Sequence, residues 1–188
     1  EDLASYVEGY IDEGRIDSDE HLKIFPVAKS TEVMMVNKTD WDKFAQATGA
    51  AYADMETIEG LTKTAEAYYN WTDSLTETPD DGKAFFGRDA LANYMIIGSR
   101  QLGNEIFEVH NGQATINVDK ATYKRLWENY YVPMVKGHFA AHGRFRADDA
   151  SSGDIIALVG STTGATYFPQ QVVLNDNETY PVEAVTLP

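Results

Sequence analysis

Short apolar runs of β-forming composition alternate along this chain with longer stretches whose apolar residues recur at helical spacing. That alternation constrains the fold most, because strands and helices each bury one side and need a second layer to bury it against. Residues 154–159 form the most apolar run, and residues 22–27, 32–36, 83–86, 171–174 and 180–185 are shorter β-prone runs. Tyr6, Val7, Tyr10 and Ile11 have helical spacing, with Gly14 and the acidic residues 17–20 as a stop. Thr39 and Asp40 open a second helix that Gly49 ends. Thr57 is placed to cap a helix carrying Ile58, Leu61, Ala65 and Tyr68 on one face. Asp89 is placed to cap another, with Leu91, Tyr94, Met95 and Leu102 along its stripe. Asp119 does the same for Tyr123, Leu126, Trp127 and Tyr130, and Pro133 limits or kinks that helix. Asn111-Gly112 signals a hairpin, and residues 79–82 a turn within a stretch, 73–82, that reads as the best candidate for a disordered loop. The pattern predicts one α/β layered domain over residues 1–188, a mixed sheet flanked by helices.

Composition narrows the function. Thirty acidic against fifteen basic residues give a net charge of −15, a field that repels nucleic acid and anionic membrane surfaces. There is no cysteine, so disulfides and thiolate metal sites are excluded. No apolar run reaches the ~18 residues a membrane-spanning helix needs. The chain opens at Glu1-Asp2-Leu3 as though inside a helix, and reads as an excised piece of a longer protein.

Two hydroxyl clusters carry the chemistry. Ser30 and Thr31, followed by Glu32, lead into one strand; Ser161, Thr162 and Thr163, between Gly160 and Gly164, leave another. Hydroxyls donate and accept, which suits a ligand rich in hydroxyls or phosphate oxygens. Each bond contributes about 0.5–1.5 kcal/mol net, so affinity needs several of them plus an apolar wall. Strand ends are where open α/β sheets hold ligands. The same hydroxyls equally suit local turns and caps. Arg88 and Asp89 lie at a third strand-to-helix junction, where Arg88 can grip a carboxylate or phosphate bidentately or be a solvated surface charge. Of the aromatic residues, Tyr68, Tyr94, Trp127 and Tyr130 fall on core stripes, whereas Tyr167-Phe168 can wall a site, and Tyr69-Asn70-Trp71 less so. His138 and His142 have metal-ligand spacing but no third ligand, and read as a polar loop. Arg144 and Arg146 make a basic spot that can pair with Asp148 and Asp149. Asn37, Asn70 and Asn177 begin glycosylation triplets of the kind that arise by chance. No P-loop, dinucleotide fingerprint or nucleophile elbow is present.

The segment 25–38, with its Phe-Pro, its hydroxyl pair and the closing Asn37-Lys38, resembles the extracellular solute-binding proteins of ABC importers, in the class that includes maltose- and glycerol-phosphate-binding proteins. Thr57-Ile58-Glu59-Gly60-Leu61 is similar to that family's helix start, with Ile58 where Trp is usual, and residues 153–164 resemble its strand and Ser-Ser-Gly turn. The resemblance implies one lobe of a type II periplasmic-binding-protein-like fold, without catalytic residues, metal or cofactor. It implies capture of a small polar solute, a sugar or phosphorylated polyol, by hinge closure with a second lobe absent from this chain, and delivery to a membrane permease. The setting it implies is extracellular, lipid-anchored to a bacterial surface or periplasmic. It carries a ligand-binding role onto Ser161, Thr162 and Thr163, beside Ser30, Thr31, Glu32, Arg88, Asp89 and Tyr167. Two other classes stay open: a carbohydrate-active hydrolase pairing Asp89 with Glu32, and a surface adhesion or interaction domain marked by an exposed apolar patch.

Overall fold

The computed structural model of the chain describes residues 3–16 and 21–188. The first helix is broken into a short 3-10 turn, Leu3–Ser5, and α1, Glu8–Asp12. The acidic residues 17–20, read as its stop, lie outside the described residues. A four-stranded mixed sheet forms the centre, in the order β2 (Phe86–Arg88), β5 (Ala157–Ser161), β1 (Glu32–Asn37), β8 (Ala184–Leu187). β1 runs antiparallel to both β5 and β8, while β2 and β5 run parallel.

Alternation along the strands sorts the core into two halves. Val36 of β1 and Ala157 and Val159 of β5 face a cluster with Trp41, Phe44, Leu61, Tyr68, Phe85 and Phe139. Met35 and Leu158, one residue out of phase, face the opposite cluster with Ile155, Ala150 and Phe168. Both faces are covered, which is why β5 reads as an unbroken apolar run. Each fully buried Phe stabilises by about 1.5–3 kcal/mol.

The first face is covered by α2 (Lys38–Thr48), presenting Trp41 and Phe44, and α3 (Ile58–Asp73), presenting Leu61, Ala65 and Tyr68. Asn37 caps α2 by accepting the Asp40 N–H at 3.1 Å, two residues earlier than Thr39 suggested, and Gly49 ends it at φ 80°. Thr57 accepts the Gly60 N–H at 3.0 Å, as its position predicts. α4 (Leu91–Gln101) and α5 (Lys120–Val135) pack on each other, and Asp119 caps α5 through the Thr122 N–H at 2.7 Å. Pro133 sits buried within the last turn of α5. α6 (Arg146–Ser152) precedes β5. The hairpin β3–β4 (Phe107–His110, Gln113–Ile116) turns at Asn111-Gly112. A second hairpin, β6–β7 (Gln171–Asn175, Glu178–Pro181), packs on α6.

Four expectations move. Residues 22–27 form no strand, since Pro26 interrupts the run and Val27 is 92% exposed. Residues 180–185 are divided between β7 and β8, which belong to different sheets. Asp89 does not cap α4, whose first turn has no side-chain cap; on its stripe Leu91 is exposed while Tyr94 is buried as expected, and Gly98 and Ser99 are buried with it. The loop 73–82 is tied down, with Asp73 accepting the Asp81 N–H at 2.8 Å and Tyr69 donating to the Asp80 carbonyl at 2.9 Å.

Candidate functional site

Strand directions bring the two hydroxyl clusters together. Antiparallel pairing sets Glu32, where β1 begins, opposite Ser161, where β5 ends. Ser30 Oγ lies 2.6 Å from Ser161 Oγ and 3.5 Å from Thr162 Oγ1, and the Thr162 N–H donates to the Thr31 carbonyl at 2.9 Å. Parallel pairing of β2 with β5 places Arg88 and Asp89 at the same edge, and the Asp89 N–H donates to the Val159 carbonyl at 3.2 Å. Ser30, Thr31, Ser161, Thr162 and Thr163 are all exposed. They form an open rim, and part of their capacity is spent locally: Ser161 Oγ accepts the Thr163 N–H at 3.2 Å.

Behind the hydroxyls the charges are paired. Glu32 binds Arg88 through one carboxylate oxygen and accepts from Asn93 Nδ2 at 2.9 Å through the other. The side chains of Glu32 and Arg88 are only 15% and 12% exposed. The Arg88 guanidinium stands 5.4 Å from the centre of the Tyr94 ring, and its Nε is buried with no hydrogen-bond partner among the described residues. Tyr94 is fixed in turn, its hydroxyl donating to the Leu126 carbonyl at 2.7 Å, and burial pushes that hydroxyl's pKa up. Asp89 Oδ1 accepts the backbone N–H of Arg146 at 2.9 Å, so it serves the first turn of α6 rather than α4. Its other oxygen lies against Gly160, where an added Cβ would meet it at 2.9 Å.

Of the nine sequence-derived site residues, Ser30, Thr31, Glu32, Arg88, Asp89, Ser161, Thr162 and Thr163 share this rim. Tyr167 closes the 3-10 turn Thr162–Thr166 by donating its N–H to the Gly164 carbonyl, and the residue is 72% exposed. Its neighbour Phe168 turns into the core and makes no wall. Trp71 packs against Phe44 and Tyr68, which removes it likewise. Arg146 is consumed internally by Asp149 at 2.6 Å and by the Ala140 and Gly143 carbonyls. Asp148 accepts the Phe145 N–H instead of pairing with an arginine. His138 is buried against Tyr69, and among the described residues no group of His, Asp and Glu is placed to hold a metal ion. Asn37, 2% exposed, is out of reach of glycosylation.

Asn93, Tyr94 and Gly160 were missed as parts of the site. Only Gly160 carried a signal, a small residue directly before the cluster. Asn93 reaches Glu32 across 61 positions of sequence, which no local pattern reveals. A cavity of about 710 Å³, lined by Tyr69, Lys83, His142 and Asp154, lies at the other end of the sheet, where β2 and β5 begin.

No protein-family model matches the sequence, and no curated protein sequence matches it. Among solved structures, the chain is similar to UgpB from Mycobacterium tuberculosis, determined in complex with glycerophosphocholine. The TM-score is 0.61 at 15% identity, over 100% of this chain and 43% of that one. It is also similar to the galacto-N-biose-/lacto-N-biose I-binding protein of the ABC transporter from Bifidobacterium longum, in complex with lacto-N-biose. There the TM-score is 0.49 at 17% identity, over 89% of this chain and 41% of that one. The chain thus spans less than half the length of either protein. Among the described residues no helix is long and apolar enough to cross a membrane. A mixed sheet covered by helices on both faces, aligned along its whole length with such a structure, gives this chain the α/β fold of the periplasmic-binding-protein-like type.

Proposed function

We propose that the chain is one lobe of an extracellular solute-binding component of an ABC importer, and that its hydroxyl rim holds part of a small polar solute. The observation that carries this reading is the meeting of Ser30 with Ser161 and Thr162, 131 and 132 positions apart, at an exposed strand-end edge. Alcohol side chains gathered there serve a sugar or a phosphorylated polyol, the classes the resemblance implies. A solved structure of similar fold, UgpB, holds glycerophosphocholine, which is small and polar. In this reading a second lobe closes over the rim, a membrane permease receives the solute, and the protein works outside the cell, lipid-anchored or periplasmic.

Alone, the lobe offers one open face and half the hydrogen bonds, so binding is weak, in the millimolar range by the scale of a few bonds at about 1 kcal/mol each. A panel of sugars and phosphorylated polyols titrated into the isotopically labelled chain tests this by NMR. Shifts confined to residues 30–32, 88–89 and 160–163 with at least one member of the panel are the expected result. No response there from any member, or nanomolar affinity without a second lobe, overturns the proposal.

The hydrolase reading loses ground, because Glu32 is held by Arg88 and Asn93 and Asp89 by the Arg146 N–H. The interaction-domain reading keeps one observation in its favour: Tyr6, Val7, Tyr10, Ile24, Phe25 and Val27 are all exposed within residues 6–27. A face packing on a second lobe has the same composition.

A further inference from the structure

We propose that Glu32 is the specificity-determining residue of the rim, because by occupying Arg88 it turns away phosphate and carboxylate ligands in favour of uncharged polyols. This rests on the reading of the rim as a solute site, and goes beyond it by separating the two ligand classes that hydroxyls alone leave together.

An anion bound at the rim needs a cation to offset the loss of its hydration. Among the described residues, Arg88, Arg146 and Lys29 near the rim each already have a partner. Arg88 gives its Nη2 to Glu32 and one face of its guanidinium to Tyr94, and its Nε is buried. Arg146 is 5% exposed and bound to Asp149 and two carbonyls. Lys29, next to Ser30, pairs with Glu13 and lies over Tyr10. The remaining charge beside the hydroxyls is negative: Asp89, 37% exposed, with one oxygen on the Arg146 N–H. Its field opposes an approaching phosphate and leaves a neutral hydroxyl group free to donate to it. Glu32 is itself locked, since Asn93 fixes its second oxygen, so an incoming anion cannot displace it by a simple rotation.

Glu32→Gln keeps the side-chain shape and an acceptor for Asn93 while releasing the charge on Arg88. The test is an NMR titration of the wild-type chain, E32Q, and the double variant E32Q/R88M with inorganic phosphate and glycerol 3-phosphate. Wild type is expected to show no response at residues 30–32 or 160–163. E32Q is expected to gain one, with apparent affinity for glycerol 3-phosphate up by about tenfold or more, the order of a charge-assisted bidentate contact. The double variant is expected to lose that gain. A wild-type response to glycerol 3-phosphate at the rim, or a folded E32Q without any gain, overturns the inference. Should E32Q fail to fold, the wild-type titration alone decides, a rim response counting against the inference and its absence for it. If E32Q gains phosphate while no neutral sugar or polyol touches the wild-type rim, the charge argument stands and the solute-capture reading fails alone.

Discussion

At the residue scale, Asp149, 2% exposed, is a buried carboxylate with three partners. It accepts the Gly143 N–H at 2.6 Å and the His142 N–H at 3.1 Å, and pairs with Arg146 at 2.6 Å. Removing one partner of a buried pair leaves the other charge uncompensated, which costs about 3–5 kcal/mol. Asp149→Ala is therefore expected to lower the urea midpoint by that amount in free energy and to loosen Arg146, whose backbone N–H anchors Asp89. A loss under about 1 kcal/mol would show that the network does not restrain α6. The pairing of Arg146 with Asp149 was legible, because three residues apart on a helix they share a face. The pairing of Glu32 with Arg88 was not. It depends on β2 and β1 flanking β5, and sheet order is invisible in a local window.

Caps and breakers made the elements readable. Thr57, Asp119, Gly49 and Asn111-Gly112 act within three or four residues, so the sequence around each contains its whole cause. Helix stripes were less reliable where two helices meet. On α4, Gly98 is buried because Leu126 of α5 fills the space over it; an added Cβ would stand 2.6 Å from Leu126 Cδ2. Gly98→Ala gains about 0.8–1 kcal/mol in helix propensity. Overpacking costs about 1–3 kcal/mol, and Leu126, 2% exposed, has no room to retreat. Packing is expected to win, so that the variant melts earlier than wild type; a higher melting temperature would mean α4 and α5 can separate freely. On the predicted faces Tyr94 and Leu126 are buried, but Leu91 and Trp127 were misplaced for the same reason. Both side chains are half exposed, because each helix is turned to suit its neighbour, not its own apolar count.

Acid stability belongs to the whole molecule. His138 is buried beside Tyr69, and desolvation lowers its pKa below the ordinary 6.5, helped by Lys136 and opposed by Glu66. The unfolded chain takes up a proton near pH 6.5 while the folded one resists it, so this contribution is whole above pH 6.5 and is lost as pH falls toward the folded value. Glu59, lowered first by its hydrogen bond from Arg125, and Asp119, lowered first by the Thr122 N–H, act in a separate window. Their contributions hold above about pH 4.5 and vanish in stronger acid. Melting temperature against pH is expected to fall in two stages, and His138→Phe, which keeps the ring contact, to flatten the upper one alone. An unchanged profile in that variant would place the titration elsewhere. What the sequence determined by itself was local: where helices start and stop, where chains turn, and that alternating strands and helices make a layered α/β body. The tertiary structure decided the rest, because strand order and direction alone bring Ser30 to Ser161, set Glu32 on Arg88, and choose which side of each helix is buried.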